Sequence, residues 1–217
     1  MNTEIIKADH PVAFRHAIEV LKNGGLVVFP TDTVYGLAAW PYQAEYVERL
    51  YIVKGRNSTR AIAVLIPRPE DLKQVAVSPS EYAMRLAKRF WPGPLTIIMT
   101  KHPSLPEALS PQPTIGIRMP DHKVALAILN LIGPLAVTSA NLSGQDNTTT
   151  AQEVLAQLEG KVHLIIDGGK SPGGVPSTVV DCTSPEPEIL RSGPISEADI
   201  RTELRAMDRE SGFSPTY

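Results

Sequence analysis

The hydrophobic period of the chain switches repeatedly between that of a strand and that of a helix. Leu26–Phe29, Ala61–Ile66 and Leu95–Thr100 are short apolar runs of strand character, and between them the apolar residues recur at helical spacing. Val12, Ala13, Ala17, Ile18 and Leu21 fall on one helical face, which Asn23-Gly24-Gly25 stops. The same reading predicts helices at Ala44–Val53 and Ser80–Phe90, a helix capped by Asp121 and running to Ile132, one capped by Thr150 and running to Leu158, and a last one at Ser196–Met207. Further strands are expected at Thr114–Met119, Leu135–Thr138, His163–Ile166, Thr178–Cys182 and Ile189–Arg191. Elements interleaved in this way make an α/β fold. Several connections are too short for a crossover helix, so the sheet is expected to be mixed. The expected organisation is a single domain over 1–207 followed by a polar, flexible tail, 208–217.

Composition removes several function classes. One cysteine, Cys182, excludes a disulfide framework and any multi-cysteine metal or redox motif. No apolar run exceeds Ala61–Ile66, far short of the roughly 18 residues of a membrane span, and the charged first twenty residues hold no signal-peptide core. A cytoplasmic protein without a membrane partner is the expectation. Lys and Arg number 21 against 23 Asp and Glu, a net charge of −2, so no global basic field points to nucleic acid. Proline is the outlier, 20 in 217 residues against an average usage of about 5%. Pro30, Pro92, Pro94, Pro120 and Pro194 stand at strand ends or loops, where a fixed φ holds the chain in place.

In open α/β sheets chemistry gathers in the loops at strand ends. Phe29-Pro30-Thr31-Asp32-Thr33-Val34-Tyr35-Gly36-Leu37 crowds hydroxyls, a carboxylate and a phenol at one such end, with Gly36 available for a tight bend. The same residues also suit a turn that satisfies its own backbone. Lys54-Gly55-Arg56 could gather anionic oxygens, although cations after a helix are also simply favoured by its macrodipole. Arg118 sits in an alternating strand in which Thr114, Gly116 and Arg118 share a face, so it should be held more rigidly than a loop cation. Thr138-Ser139-Ala140-Asn141-Leu142-Ser143-Gly144 offers hydroxyls and amides suited to phosphate, and Ser177-Thr178 and Leu190-Arg191-Ser192-Gly193 are similar.

The usual catalytic sets are missing. GxxxxGK[ST], GxGxxG and GxSxG do not occur, and His10, His16, His102, His122 and His163 show no metal-ligand spacing. Cys182 reads as a small buried hydrophobe. What is left positions and neutralises anions more readily than it moves protons.

Taken in order, FPTDTVYGL, the KGR loop, Trp91-Pro92-Gly93-Pro94-Leu95-Thr96, Arg118-Met119-Pro120, Ser139-Ala140-Asn141, Ser177-Thr178 with Asp181, and Leu190-Arg191-Ser192-Gly193 resemble the YrdC/Sua5 family of threonylcarbamoyl-AMP synthases in its short, single-domain form. The resemblance implies a twisted mixed sheet with flanking helices around a concave basic groove. It implies a nucleotidyltransferase that makes threonylcarbamoyl-AMP and pyrophosphate from L-threonine, bicarbonate and ATP, with Mg²⁺ accompanying the ATP. The product would serve N6-threonylcarbamoyladenosine formation at position 37 of tRNA, through a separate transferase machinery. Carried over by position, Thr33, Arg118 and Ser177 would bind threonine, while Arg56, Thr114, Ser139, Asn141, Asn147 and Arg191 would bind ATP; Lys54 and Arg56 would be catalytic.

The chain departs from the family pattern at three places: Asn57 after the KGR loop, Arg60-Ala61-Ile62 at the entry to the next strand, and Leu65 where a histidine often stands. Two further readings stay open on the sequence. One is a non-catalytic module that binds double-stranded RNA or tRNA in the same groove, and the other is a diverged paralogue using another amino acid or carbamoyl compound.

Overall fold

The computed structural model describes residues 2–57 and 59–210. Ten strands form one sheet: β1 (Glu4–Lys7), β2 (Val27–Pro30), β3 (Tyr35–Ala39), β4 (Ala63–Leu65), β5 (Leu95–Thr100), β6 (Thr114–Arg118), β7 (Leu135–Ser139), β8 (Leu164–Asp167), β9 (Thr178–Asp181) and β10 (Glu188–Arg191). Their spatial order is β1-β8-β2-β3-β7-β4-β6-β5-β9-β10. Four neighbouring pairs are parallel (β1 with β8, β8 with β2, β4 with β6, β5 with β9) and the other five antiparallel, so the sheet is mixed as the short connections required. Six helices flank it: α1 (Ala13–Lys22), α2 (Ala44–Lys54), α3 (Glu81–Phe90), α4 (Lys123–Ile132), α5 (Ala151–Leu158) and α6 (Glu197–Glu210). No helix of the described residues is long and apolar enough to cross a membrane.

The two faces of the sheet are covered unequally. On one, Leu37, Val64, Ile97, Ile117 and Val180 pack against Leu50 of α2, Leu86 of α3, Val154 of α5 and Ile200 of α6. On the other, Val27, Phe29, Leu135, Leu164 and Ile166 pack against Ala17 and Leu21 of α1 and Ile128 and Leu129 of α4. Among the described residues this second cluster contains nothing from β5, β6, β9 or β10. Half of one face is therefore left without a helix.

Several boundaries differ from those the sequence suggests. The run Ala61–Ile66 shortens to Ala63–Leu65, because the Ala61 carbonyl accepts from Arg56 Nη2 and the Ile62 N–H donates to the Leu109 carbonyl instead of joining the ladder. Tyr35–Ala39, within and beyond the expected loop, is a fully buried central strand. Gly36 makes no bend there; a Cβ would lie 2.8 Å from Val137 Cγ1, so it serves close packing. Strand β1 was not anticipated, since charged residues at both ends hide a short parallel edge strand. Asp121 does not cap α4: His122 does, its Nδ1 accepting from the Val124 N–H at 3.3 Å. Helix α6 continues to Glu210, past the expected domain boundary, and the remainder of the expected tail, residues 211–217, lies outside the described residues.

Thr150 caps α5 as expected and completes a capping box with Glu153, its hydroxyl accepting from the Glu153 N–H at 3.2 Å. Thr150→Ala should lower stability by about 1 kcal/mol, read as a lower urea midpoint with an unchanged slope.

Candidate functional site

The helix-free half of the sheet is the floor of a cavity of about 280 Å³. Strand register assembles this floor: Gly36 faces Ser139, Ala63 faces Val137, Leu65 faces Arg118, Ile98 faces Gly116, and Thr96 and Arg191 both face Val179. Gly116 is required by closeness, because a Cβ there would lie 2.9 Å from Thr96 Cγ2. The walls are Thr31, Thr33 and Val34 from the β2–β3 turn, Arg56 and Ala61 from the connection after α2, and Pro176 and Ser177 before β9.

The β2–β3 turn both satisfies itself and faces the cavity. Thr31 makes the turn, its Oγ1 accepting from the Thr33 N–H at 3.2 Å and donating to the Val34 carbonyl at 2.7 Å. Asp32 and Thr33 reach Arg118 instead. The Arg118 side chain, 7% exposed, donates from Nε to the Gly93 carbonyl at 3.0 Å, from Nη1 to Thr33 Oγ1 at 2.9 Å and from Nη2 to Asp32 Oδ1. Burial lowers its affinity for the proton and Asp32 opposes that shift. Guanidinium remains charged throughout.

Lys54 and Arg56 leave the end of α2 in different directions. Gly55 adopts the left-handed conformation, φ +57°, which ends the helix and lets the two cations separate. Arg56 lines the cavity, with Nη1 donating to Thr138 Oγ1 at 2.9 Å and Nη2 to the Ala61 carbonyl at 3.0 Å. Lys54 turns inward and is buried behind the floor, where its Nζ donates to the carbonyls of Ser139 and Asn141. No carboxylate meets it. Burial, with help from the Arg56 charge, pulls its pKa down to about 8.

On the opposite wall Arg191 donates from Nε to the Ser177 carbonyl at 3.0 Å and from Nη2 to Ser177 Oγ at 3.1 Å, while Ser177 Oγ also meets Thr96 Oγ1 at 2.8 Å. Arg56, Arg118 and Arg191 thus face one space, with no carboxylate among the described residues that line it. They feel one another: burial first and Arg56 second make Arg191 harder to protonate, and Arg191 does the same to Arg118. Three cations held this close to one another, with only Arg118 paired to a carboxylate, form an anion site.

Of the residues expected to form a site, Thr33, Arg56, Arg118, Ser139, Ser177 and Arg191 come together around the cavity. Lys54 and Asn141 do not line it. The Asn141 amide is spent on the carbonyls of Leu142 and Gln145, which shapes the loop after β7. Thr114 shares the floor's face but pairs with Thr100 at the far end of β6, and half-buried Asn147 lies before α5, also outside the lining. Thr96 was not singled out as a site residue; a hydroxyl interrupting the apolar run Leu95–Met99 was its signal.

The five histidines all have local partners. His122 caps α4, His163 accepts from Leu26, His16 meets Glu4, His102 meets Ser104 and His10 accepts from Val12. Cys182 is buried, as expected, and burial pushes its thiol up to about 12, which leaves it inert. Among the described residues no group of three or more His, Cys, Asp or Glu is placed to hold a metal ion.

With this geometry in place, similarity to known proteins is informative. The Sua5/YciO/YrdC family model, described as "Telomere recombination", matches residues 19–193. A Bacillus subtilis protein named threonylcarbamoyl-AMP synthase is 40% identical over 204 residues, covering 91% of this chain and 58% of the relative. The crystal structure of Pyrococcus abyssi Sua5 complexed with L-threonine superposes with a TM-score of 0.88 at 36% identity, over 94% of this chain and 61% of that one. The crystal structure of E. coli YciO superposes at 0.81 and 29% identity, over 92% of this chain and 100% of that one. The chain therefore spans somewhat over half the length of the first two.

Lys54 gives the site a signature in pH. Below about 8 the fold carries a buried charge on it; between about 8 and 10.5 the unfolded chain still binds a proton that the fold has released, so raising pH favours the fold. Over that interval the melting temperature of wild type should rise relative to that of Lys54→Met, measured in parallel scans.

Proposed function

Because this chain belongs to the Sua5/YciO/YrdC family, we propose that it makes L-threonylcarbamoyl-adenylate and pyrophosphate from L-threonine, bicarbonate and ATP. The observation that carries the reading is the placement of Arg56, Arg118 and Arg191 on the walls and floor of one cavity that no carboxylate lines. The reaction brings three anionic groups to such a place: a carboxylate, a carbamate and a triphosphate.

In this reading the threonine amine and bicarbonate combine to a carbamate with loss of water. A carbamate oxygen then attacks the α-phosphorus, and the bond from that phosphorus to the oxygen bridging to the β-phosphate breaks to release pyrophosphate. Such chemistry asks mainly for positioning and for charge fixed in advance. Arg118 has five N–H groups, of which the fold takes three, and the other two hold the threonine carboxylate. Thr33 and Ser177 flank that end, while Arg56, Ser139 and Arg191 take the nucleotide phosphates. Lys54 acts at one remove, by fixing the backbone of Ser139 and Asn141. The donors around the cavity do not fit a resident divalent cation, since the nearest carboxylate, Asp32, is held by Arg118. Magnesium enters on the phosphates of ATP.

The product would be consumed by a separate transferase that modifies adenosine 37 of tRNA, which makes the cytoplasm the working compartment. Pyrophosphate release with ATP and bicarbonate, assayed across the twenty amino acids, tests the reading. Release with threonine alone supports it, release with a different amino acid makes the chain a paralogue, and tight double-stranded RNA binding without release makes it a binding module. Arg118→Ala and Arg56→Ala should each cost about 2–4 kcal/mol of transition-state stabilisation, or roughly 30- to 1000-fold in kcat/KM for threonine-dependent release.

A further inference from the structure

An aspartate in a hairpin turn ordinarily accepts from a backbone N–H two residues on. In the β2–β3 turn Thr31 does that work, and the turn is closed further by backbone bonds from Thr31 N to the Val34 carbonyl at 3.3 Å and from Gly174 N to the Thr33 carbonyl at 2.7 Å. The Asp32 side chain takes no part in it. Its Oδ1 accepts from Arg118 Nη2 and its Oδ2 is buried without a partner, so the guanidinium is what this carboxylate bonds. Both side chains are nearly removed from water, at 7% exposure for Arg118 and 11% for Asp32.

A buried ion pair is weak grounds for stability, because desolvation offsets most of the attraction. A pair with an orphaned oxygen is weaker still. Its geometry supplies a different reason. The Gly93 carbonyl and Thr33 Oγ1 hold the Nε and Nη1 positions of Arg118, and both are neutral acceptors. Asp32 alone holds the Nη2 end and alone brings charge. Three anchors on one planar group fix the plane, whereas two leave it free to pivot about the line joining Nε and Nη1, which swings the Nη2 end.

We propose that Asp32 is a positioning residue for the amino-acid substrate, setting the plane of the Arg118 guanidinium so that its two uncommitted N–H groups meet the substrate carboxylate. The inference rests on the threonine-dependent reaction proposed above. It goes beyond it by giving a role to a side chain that does not itself line the cavity. The nucleotide end, at Arg56 and Arg191, has its own acceptors and does not depend on Asp32.

The test uses the full chain with Asp32→Asn and Asp32→Ala, measuring KM for threonine and for ATP by pyrophosphate release, and melting temperature. Asparagine keeps an oxygen where Oδ1 stands, and the turn keeps its backbone bonds, so both variants should fold. Asp32→Ala should raise KM for threonine by about tenfold or more, Asp32→Asn by less, and KM for ATP should stay within about twofold. An unchanged KM for threonine, or equal rises for both substrates, would overturn the proposal. A fall in melting temperature with unchanged kinetics would make Asp32 structural only and overturn it equally. If wild type neither binds threonine by calorimetry nor releases pyrophosphate with it, the functional reading and this inference fall together; if wild type depends on threonine and the variants behave as wild type, Asp32 alone falls.

Discussion

A sheet of ten strands has two faces to cover, and this chain has helices for one and a half of them. Helices α2, α3, α5 and α6 cover one side along its length, while on the other the cluster under α1 and α4 reaches from β8 and β2 to Leu65 of β4 and takes in nothing described from β5, β6, β9 or β10. The uncovered strands must present residues that tolerate water while still pairing within the sheet. Threonine, glycine and arginine meet that demand at Thr96, Gly116, Arg118 and Arg191. The site is a consequence of where helices stop, and its floor is built on strands, which hold side chains more rigidly than loops do.

The electrostatics follow from the same arrangement. With a net charge of −2 the molecule has no long-range positive field. Its cations are concentrated instead, anchored through neutral carbonyls and hydroxyls such as Ala61 O, Thr138 Oγ1 and Ser177 Oγ. Neutral anchors fix position without cancelling charge. Asp32, paired with Arg118, is the exception.

Much of this was legible in the sequence, for physical reasons that differ by element. Helices α3 and α5 carry amphipathic periods and side-chain caps at Ser80 and Thr150, and Thr150 to Leu158 and Leu95–Thr100 stand where the residues put them. The alternation in Thr114–Arg118 placed Gly116 and Arg118 on one face, and the register with β4 and β5 made that face the cavity floor. What could not be read was direction across the sheet. Two cations separated by one glycine look equivalent in the sequence, but a left-handed Gly55 sends Lys54 under the floor and Arg56 into the cavity. Likewise Thr114 and Arg118 share a face, yet the length of β6 sets Thr114 beyond the cavity. A short edge strand such as β1, with charges at both ends, has no period to read at all.

Lys54 and Arg118 are both buried cations, and their different partners give them different behaviour. Arg118 has a carboxylate beside it and a guanidinium that does not release its proton under ordinary conditions, so its charge is constant with pH. Lys54 has only uncharged oxygens as hydrogen-bond partners among the described residues, the carbonyls of Ser139 and Asn141, the Ser139 hydroxyl and the Asn141 amide, and burial brings its pKa to about 8, within reach of mildly alkaline conditions. Loss of that proton would weaken the hold on Ser139 and Asn141 while leaving the arginines charged. Lys54 does not line the cavity, so that loss would be felt there through the position of Ser139, which does, rather than through a change of charge on the cavity wall.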